Sequence, residues 1–230
     1  MKIISYNIGL SNHNKIEQLF KHYPDADIYV IPEIELEEKE KLPVDFEMEW
    51  HGIRYSEPFM GTNSKGLGII WRKGKGKVLE YDKSLKYAIP LEYEKKIILA
   101  FWPTKEKTNE TYTKIAESII DKYSELFENE EVIITGDFNL YYKPPVRTYS
   151  SDIFAIINKL QPLGFKSIYH ASNNTNPGFE KQYTYFFRNK TDQPFFLDYT
   201  FTNIPIENFK YELKDLGRDF SDHAGQIIEF

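Results

Sequence analysis

The chain has 230 residues and 41% hydrophobic content, and no Pro-, Gly- or Ser-rich linker divides it, which favours one domain over residues 1–230. It contains no cysteine, so disulfides and thiolate metal sites are excluded, and a metal such as Mg²⁺, Mn²⁺ or Ca²⁺ would need oxygen ligands. The net charge of −6 argues against tight non-specific binding to long nucleic acid, but it leaves room for a local basic patch.

The first segments of the chain predict a strand, a helix and a second strand. Lys2–Ile8 is rich in β-forming residues, and Ser11–Tyr23 has apolar residues at helical spacing before Pro24. Asp27–Ile31 is a second apolar strand, and this order is typical of a βαβ-like layer. We find neither an apolar leader nor an apolar run of membrane-spanning length, so we expect a soluble cytoplasmic protein.

The middle of the chain predicts a meander of short strands. These are Phe46–Ile53, Ser64–Arg72, Lys77–Tyr81, Tyr87–Leu91 and Lys96–Trp102. The charged run Glu37–Lys41 before them predicts a solvated loop or the start of a helix. The basic stretch Arg72–Lys77 is typical of a hairpin turn, whose charge is either a solvated tip or a phosphate contact.

The second half of the chain alternates helices and strands. Glu110–Phe127 predicts the longest helix, because its apolar residues fall on one stripe. Val132–Asn139 predicts a buried strand that ends in a turn at Gly136–Asn139. The other predicted elements are a helix over Ser151–Leu160 and extended segments at Phe165–Tyr169, Tyr183–Arg188, Phe195–Thr202, Tyr211–Leu213 and Gln226–Phe230.

Polar side chains lie where several of these segments end. The candidates are Asn7, Glu33, Asp137, Asn139, Asp198, Asp222 and His223. Strand-end groups of a layered α/β domain gather at one rim, so these side chains can form a single site. Each has a structural alternative: Gly136–Asn139 and Ser221–His223 are also ordinary turns, and Asp198 in an apolar strand could form a structural ion pair. It is less expected that all of these residues have separate structural roles than that they form one site.

The chemistry of these side chains suits phosphodiester cleavage. Glu33 with Asp or Asn groups can bind Mg²⁺, which keeps positions for water and phosphate oxygens and neutralises charge on the phosphate. Asn7 and Asn139 can donate hydrogen bonds to a phosphate oxygen or to the attacking water. A His can accept a proton from water if a carboxylate orients it, and Asp198 is a candidate for that partner of His223.

At this point the motifs resemble, in order and rough spacing, those of the endonuclease/exonuclease/phosphatase superfamily, and its small bacterial members in particular. The matching residues are Asn7 in SYN, Glu33 in IPE, GDFN at Gly136–Asn139, LDY at Leu197–Tyr199 and SDH at Ser221–His223, and they extend over essentially the whole chain. The resemblance implies an α/β (α+β) fold, the four-layer α/β/β/α sandwich of DNase I-like proteins. It also implies phosphoester hydrolysis dependent on Mg²⁺, with Mn²⁺ as an alternative.

The resemblance further implies a role for each matching residue. The implied metal-site residues are Glu33, Asn7 and Asp222. Asp137 and Asn139 would position the nucleophilic water and the phosphate. His223 would contact the phosphate or act as the base, and Asp198 would orient it.

Two stretches depart from the family pattern. Pro32 stands before Glu33, where the family usually has Gln. In Ile98–Pro103 (ILAFWP), Phe101 and Trp102 stand where family members have a His or Tyr that contacts the scissile phosphate. Trp102 can donate one N–H but cannot transfer a proton. Small bacterial members resemble this chain in carrying Trp near that point, so we interpret it as a feature of that branch.

The substrate is expected to be a phosphoester, and most simply DNA or RNA. Candidate substrate contacts are Lys65, Tyr141, Arg147, His170 and Arg188, each with the alternative of a solvated surface residue, together with Trp102. The alternatives are a phosphatase for a small or lipid phosphate of the inositol type, which the acidic net charge fits somewhat better, and a catalytically weak binding module. Phe101 and Trp102 motivate the binding module.

Overall fold

Most strands form two six-stranded sheets, and the computed structural model describes residues 1–9, 14–59, 62–85, 87–105, 109–144 and 151–230. The described strands are β1 (Lys2–Ser5), β2 (Ile28–Ile34), β3 (Phe46–Phe59), β4 (Thr62–Arg72), β5 (Gly76–Val78), β6 (Ala88–Tyr93), β7 (Lys96–Phe101), β8 (Val132–Asp137), β9 (Lys166–Ser167), β10 (Tyr185–Phe186), β11 (Pro194–Phe195), β12 (Asp198–Thr202), β13 (Lys210–Lys214) and β14 (Gly225–Glu229). The described α-helices are α1 (Lys15–His22), α2 (Tyr112–Lys122), α3 (Ser124–Asn129), α4 (Ile153–Leu160) and α5 (Ile168–Ser172). Short 3₁₀ helices span Leu36–Lys41, Gln161–Leu163, Phe187–Asn189 and Ile206–Asn208.

The strand order places β1 and β8 inside their sheets. The first sheet has the order β13-β14-β1-β2-β4-β3, and the second has the order β5-β6-β7-β8-β12-β9. β1 runs parallel to β2, and β7 runs parallel to β8, whereas β12 and β14 run antiparallel to β8 and β1. β10 and β11 form a separate antiparallel ribbon. The two parallel pairs therefore carry their carboxyl ends to the edges where polar residues follow in the sequence.

Three apolar clusters hold four layers together. Between the sheets, the buried residues include Ile28, Val30, Ile69, Ile98 and Ile133. On the outer face of the first sheet, α1 packs through Ile16 and Leu19 against residues such as Tyr29 and Ile31. On the outer face of the second sheet, α2 and α4 pack through Ile119 and Ile156 against residues such as Leu99 and Ile134. The layers are helix, sheet, sheet and helices, which confirms the predicted α/β/β/α sandwich.

β2 illustrates why the central strands have continuous runs of apolar residues in the sequence. Successive side chains of a strand point to opposite faces, so Ile28 and Val30 enter the cluster between the sheets. Tyr29 and Ile31 enter the cluster beneath α1. Both faces of the sheet are covered, so an alternation of apolar and polar residues is absent from this strand.

The predicted helix over Glu110–Phe127 is wrong as a single helix. α2 ends at Lys122 and α3 begins at Ser124, because Tyr123 has φ −100° and ψ 8°, which interrupts the helical ladder. Tyr123 and Phe127 still pack into the same core cluster. The apolar stripe therefore continues across the break between α2 and α3, so the spacing of apolar residues could not reveal that break.

The basic stretch Arg72–Lys77 is a turn, but the predicted hairpin is wrong. β4 pairs with β2 and β3, whereas β5 pairs with β6 in the other sheet. The turn therefore carries the chain from one sheet to the other.

Some predicted extended segments are shorter than expected. In Phe165–Tyr169 only β9 is extended, and α5 follows it directly. Phe195–Thr202 contains the end of β11 and all of β12, and Tyr183–Arg188 contains only the two residues of β10. The predicted helix over Ser11–Tyr23 is α1, and its first predicted turn lies outside the described residues. Among the described helices, none combines the length and apolar character needed to span a membrane.

Candidate active site

The polar strand-end residues of both sheets meet at one rim. Asn7 follows β1 and Glu33 lies near the end of β2, and these two strands are parallel. Asp137 ends β8, and Asp198 begins the antiparallel β12 directly opposite it. His223 precedes β14, which pairs antiparallel with β1. The topology thus brings together residues that are far apart in the sequence.

Asn7 connects the two sheets. It is 1% exposed, and its Nδ2 donates a hydrogen bond of 3.0 Å to Asp137 Oδ2. The same amide lies 3.4 Å from Glu33 Oε1, and Asn7 Oδ1 accepts the N–H of Gly9 at 2.9 Å. Asn7 therefore fixes the position of two carboxylates, one on each sheet.

Glu33 lies on a bulge that presents its side chain at the rim. Its φ is 66°, and the register with β4 shifts between Pro32 and Ile34. A left-handed residue in a strand costs free energy, and such strain is characteristic of functional sites. The Glu33 side chain is 21% exposed, and its Oε2 lies 3.1 Å from Lys65 Nζ. Glu33 therefore already attracts a cation at a position open to solvent.

The end of β8 requires glycine. Gly136 has φ 150°, and a Cβ at this position would lie 1.9 Å from the carbonyl oxygen of Phe101 on the neighbouring β7. This close approach places Asp137, which is 2% exposed, at the base of the site. Asn139, with φ 53°, then turns back so that its N–H donates to Asp137 Oδ1 at 2.9 Å.

Asn139 Nδ2 makes two further contacts that hold the turn after β8. It lies 3.3 Å from Asp137 Oδ2 and donates to the carbonyl oxygen of Pro103 at 3.1 Å. Asp137 therefore accepts hydrogen bonds on both oxygens, from Asn7 and from Asn139.

Burial raises the pKa of Asp137, and the negative charge of Asp198 raises it further. The charge of His223 and the hydrogen bonds from Asn139 and Asn7 act in the opposite direction. The net effect is a carboxyl group that titrates above its usual range. Such a group is suited to exchange a proton near neutral pH.

His223 and Asp198 form a buried pair. His223 Nδ1 lies 2.9 Å from Asp198 Oδ2, and the two residues are 4% and 2% exposed. Burial lowers the pKa of His223, but the carboxylates of Asp198, Asp137 and Asp222 together raise it to about 10. The ring is therefore an imidazolium at neutral pH, with Nε2 left for a second partner.

The backbone around this pair is held by hydroxyl groups. Thr184 Oγ1 accepts the N–H of Asp198 at 2.9 Å, and Ser221 Oγ accepts the N–H of His223 at 3.0 Å. Ser221 Oγ also donates to the carbonyl oxygen of Asn7 at 2.7 Å. The SDH segment is thus tied directly to the residue that connects the sheets.

Tyr185 belongs to the site but was not among the sequence candidates. It bridges to His223 in antiparallel fashion, and the two rings lie 4.7 Å apart. Burial raises the pKa of Tyr185 to about 12, with contributions from the charges of Asp222, Asp137 and Glu33. Nothing in the sequence distinguished it among 17 tyrosines, because only the pairing of β10 brings it to the imidazole.

A chain of aromatic rings leads away from Tyr185. The Phe195 ring is 6.3 Å from Tyr185, and the Tyr141 ring is 5.0 Å from Phe195. Cations lie over two of the rings: Lys143 Nζ is 4.9 Å from the Phe195 centroid, and the Arg188 guanidinium is 5.1 Å from that of Phe187. We call this surface the aromatic–basic rim; its residues are Tyr141, Lys143, Tyr185, Phe187, Arg188 and Phe195.

The remaining sequence candidates occupy different surroundings. Trp102 is 2% exposed and stacks on Tyr87, with Lys65 Nζ 5.2 Å from its ring. His170 is buried, and its two ring nitrogens contact Ser167 Oγ at 2.8 Å and Glu180 Oε1 at 3.1 Å, which favours a structural role. Arg147 lies outside the described residues.

The donors at the rim suit a hard cation with few protein ligands. Among the described residues, no three His, Asp or Glu side chains converge as a complete metal cage. Mg²⁺ does not need one, because it is commonly bound by one or two carboxylates and keeps water and phosphate oxygens. Glu33, with a carboxylate that already attracts the ammonium group of Lys65, fits this requirement. Asp222 lies beside Gly9, whose N–H donates to Asn7 Oδ1. A Cβ placed on Gly9 would lie 3.8 Å from Asp222 Oδ1.

Solved structures resemble this chain over its whole length. No family model and no curated protein sequence matches it. The 3' phosphatase NExo from Neisseria, bound to a product DNA hairpin, has a TM-score of 0.73 at 16% identity, covering 100% of this chain and 99% of that one. An AP endonuclease from Archaeoglobus fulgidus gives the same values, a TM-score of 0.73, 16% identity, and 100% and 99% coverage.

A third neighbour, the AP endonuclease LMAP from Leishmania major, has a TM-score of 0.70 at 10% identity and covers 99% of this chain and 86% of that one. At these identities the likeness establishes the fold, which is the DNase I-like fold.

Proposed function

We propose that this DNase I-like chain is a metal-dependent phosphodiester hydrolase, and specifically a nuclease that cleaves DNA or RNA by in-line attack of an activated water. The observation that carries the proposal is the junction of the two sheets. There Asn7 joins Glu33 and Asp137, and the buried His223–Asp198 pair lies beside them. The neighbours named above include a phosphatase bound to a DNA product and two AP endonucleases.

Glu33 would hold the divalent cation, with Asn7 and Asp222 supporting it. The cation would supply charge neutralisation at the phosphate and at its leaving oxygen. Asn7 orients the Glu33 and Asp137 carboxylates through its amide group, so the two sheets remain in register at the site. This rigidity matters because a displaced catalytic group loses rate steeply.

Asp137 is the proposed base for the attacking water. Its raised pKa gives the carboxylate greater affinity for a proton than an exposed Asp has. The hydrogen bonds from Asn7 and from the backbone of Asn139 fix both of its oxygens. Asn139 thereby positions the base, and its own amide is tied to Pro103.

His223 is the proposed phosphate contact. Asp198 holds Nδ1, so the imidazolium can donate from Nε2 to a phosphate oxygen whose charge grows in the transition state. The pKa of Asp137 is raised to about 7 and that of His223 to about 10, so near neutral pH the carboxyl group can exchange a proton while the imidazolium retains its own. Here Asp137 would accept a proton, and His223 would keep its own.

The aromatic–basic rim supports a nucleic-acid substrate. Its tyrosine and phenylalanine rings offer faces on which bases can stack, and Lys143 and Arg188 add cations that can contact phosphates. The rings continue from Tyr185, which contacts His223, to Tyr141. A strand bound along this surface would pass directly beside the candidate catalytic residues.

The proposal is tested by the turnover of a phosphoester panel with Mg²⁺ or Mn²⁺. The panel should contain single-stranded and duplex DNA, RNA, bis(p-nitrophenyl) phosphate and an inositol phosphate. We expect cleavage of nucleic acid, reduced about 10²- to 10⁴-fold by His223→Ala and by Glu33→Ala. His22→Ala is the matched control, because His22 lies on α1, and it should cleave like the wild type.

The proposal would be refuted if the wild type hydrolysed no member of the panel with either metal. Preferential hydrolysis of the inositol phosphate would show that the protein is a phosphoester hydrolase but a phosphatase rather than a nuclease.

A further inference from the structure

Lys65 on β4 brings a positive charge to the solvent side of the site. Its Nζ lies 3.1 Å from Glu33 Oε2 and 5.2 Å from the centroid of the Trp102 ring. The side chain is 23% exposed, so the ammonium group is partly open to solvent. Lys65 therefore touches both the candidate metal ligand and the aromatic residue that follows β7.

Lys15 is a second lysine near the carboxylates, but it is anchored differently. Its Nζ donates to the carbonyl oxygen of Ile8 at 2.6 Å. Burial lowers the pKa of Lys15, against the opposing charges of Asp222 and Glu33. Lys15 is thus bound to the backbone, whereas Lys65 is paired with a carboxylate that a divalent cation would also use.

The two aromatic residues at the end of β7 bring no positive charge to the rim. Phe101 packs on Phe138 with ring centroids 4.4 Å apart, and Trp102 is buried against Tyr87. Neither side chain can offer a cation. The indole face of Trp102 instead provides an electron-rich surface over which the ammonium group already lies.

We propose that Lys65 is a phosphate-binding residue of the hydrolytic site, released from Glu33 when that carboxylate binds a divalent cation. This inference rests on the function proposed above. Lys65 and the cation compete for Glu33 Oε2, because one carboxylate oxygen cannot satisfy both fully. Once released, the ammonium group keeps the Trp102 face as a partner and stays near the cluster. A lysine is a compact charge with three N–H donors, which suits a non-bridging phosphate oxygen.

The proposal predicts opposite effects on two binding reactions, which a purely structural lysine would not produce. Removing the ammonium group eliminates a competitor for Glu33, so metal should bind more tightly. It also eliminates a phosphate contact, so phosphate should bind more weakly and turnover should slow. A lysine that serves only as a counter-ion would change metal affinity alone.

The test compares Lys65→Met and Lys65→Arg with the wild type in three measurements. These are Mn²⁺ affinity by electron paramagnetic resonance, affinity for inorganic phosphate at saturating Mg²⁺ by calorimetry, and kcat and KM for bis(p-nitrophenyl) phosphate. Lys83→Met is the matched control, because Lys83 also lies over an aromatic ring, at 5.5 Å from the Tyr81 centroid. Thermal unfolding verifies that each variant is folded.

For Lys65→Met we expect Mn²⁺ to bind about two- to fivefold more tightly, the range for a partly exposed ion pair. Phosphate should bind more weakly, and kcat should fall about 10²-fold, the effect of losing one donor to a developing charge. Lys65→Arg should recover part of both losses, and Lys83→Met should match the wild type.

Phosphate affinity and turnover of Lys65→Met equal to those of the wild type would overturn the proposal. If the wild type hydrolyses no phosphodiester, the proposed function fails, and the phosphate titration still decides whether Lys65 binds phosphate.

Discussion

At the scale of single residues, the protonation states in the candidate site depend on interactions between neighbouring ionisable side chains. Asp198 keeps His223 protonated, and the same carboxylate raises the pKa of Asp137 on the opposite strand. One buried Asp therefore acts in two directions: it holds a proton on the imidazole and favours proton uptake by its neighbour. The role of Asp198 is electrostatic as well as geometric.

Asp198→Asn tests this charge control. The amide cannot stabilise the imidazolium, so the pKa of His223 should fall from about 10 toward its ordinary value near 6.5. If the imidazolium contacts the phosphate, wild-type activity is retained up to the raised pKa and lost above it. In the variant, this loss should move to lower pH, and kcat/KM at neutral pH should fall about 10²- to 10⁴-fold.

The measurement is the pH profile of kcat/KM, together with the ¹⁵N chemical shifts of the His223 ring. An unchanged alkaline limb in Asp198→Asn would contradict the role given to the pair. A ring that is neutral at pH 7 in the wild-type protein would contradict it as well.

At the scale of elements, the site depends on how closely β7 and β8 approach. Gly136 pairs with Phe101, and its position leaves no room for a side chain. The residue that follows it is Asp137, so the requirement for glycine and the position of the candidate base have the same origin. Packing therefore requires the glycine of the GDFN motif, and the same close approach sets the position of the candidate base.

Gly136→Ala should destabilise the protein by roughly 2–4 kcal/mol, because the new Cβ meets backbone in a conformation that favours glycine. The matched control is Gly74→Ala, since Gly74 has φ 75° and a Cβ there would meet nothing within 4 Å. It should cost only about 1–2 kcal/mol from the left-handed backbone. Urea unfolding of the two variants measures the difference. Equal losses would show that the contact with Phe101 contributes nothing.

The elements also show what the sequence can and cannot reveal. β1, β2 and β8 are apolar runs that end in polar residues, so both the strands and their candidate side chains could be predicted. β10 and β11 have only two residues each, which is too short for any periodicity. Tyr185 lies in the predicted extended segment Tyr183–Arg188, but it was missed as a site residue because the sequence does not show that it pairs with His223. The turn at Arg72–Lys77 was predicted as a hairpin because local sequence does not specify which strand a neighbour will pair with.

At the scale of the whole molecule, the net charge is acidic although the proposed substrate is a polyanion. The aromatic–basic rim provides a local basic surface for that substrate. The chain carries 35 acidic and 29 basic residues. Lys143 and Arg188 nevertheless lie on the aromatic–basic rim, each over a ring. Such a protein should engage a short stretch of strand through a few phosphates. It should not grip long DNA by its overall charge.

The salt dependence of oligonucleotide binding tests this picture. With about two to four phosphates contacted, a single-stranded oligonucleotide should show a slope of log affinity against log salt of roughly −1.5 to −3. Lys143→Met and Arg188→Met should each make the slope shallower by about 0.7, because each removes one phosphate contact. Lys122→Met on α2 is the matched control, and it should leave the slope unchanged. Fluorescence anisotropy at several salt concentrations provides the measurement. A slope near zero in the wild type would remove the basis for a nucleic-acid substrate and favour a compact phosphoester.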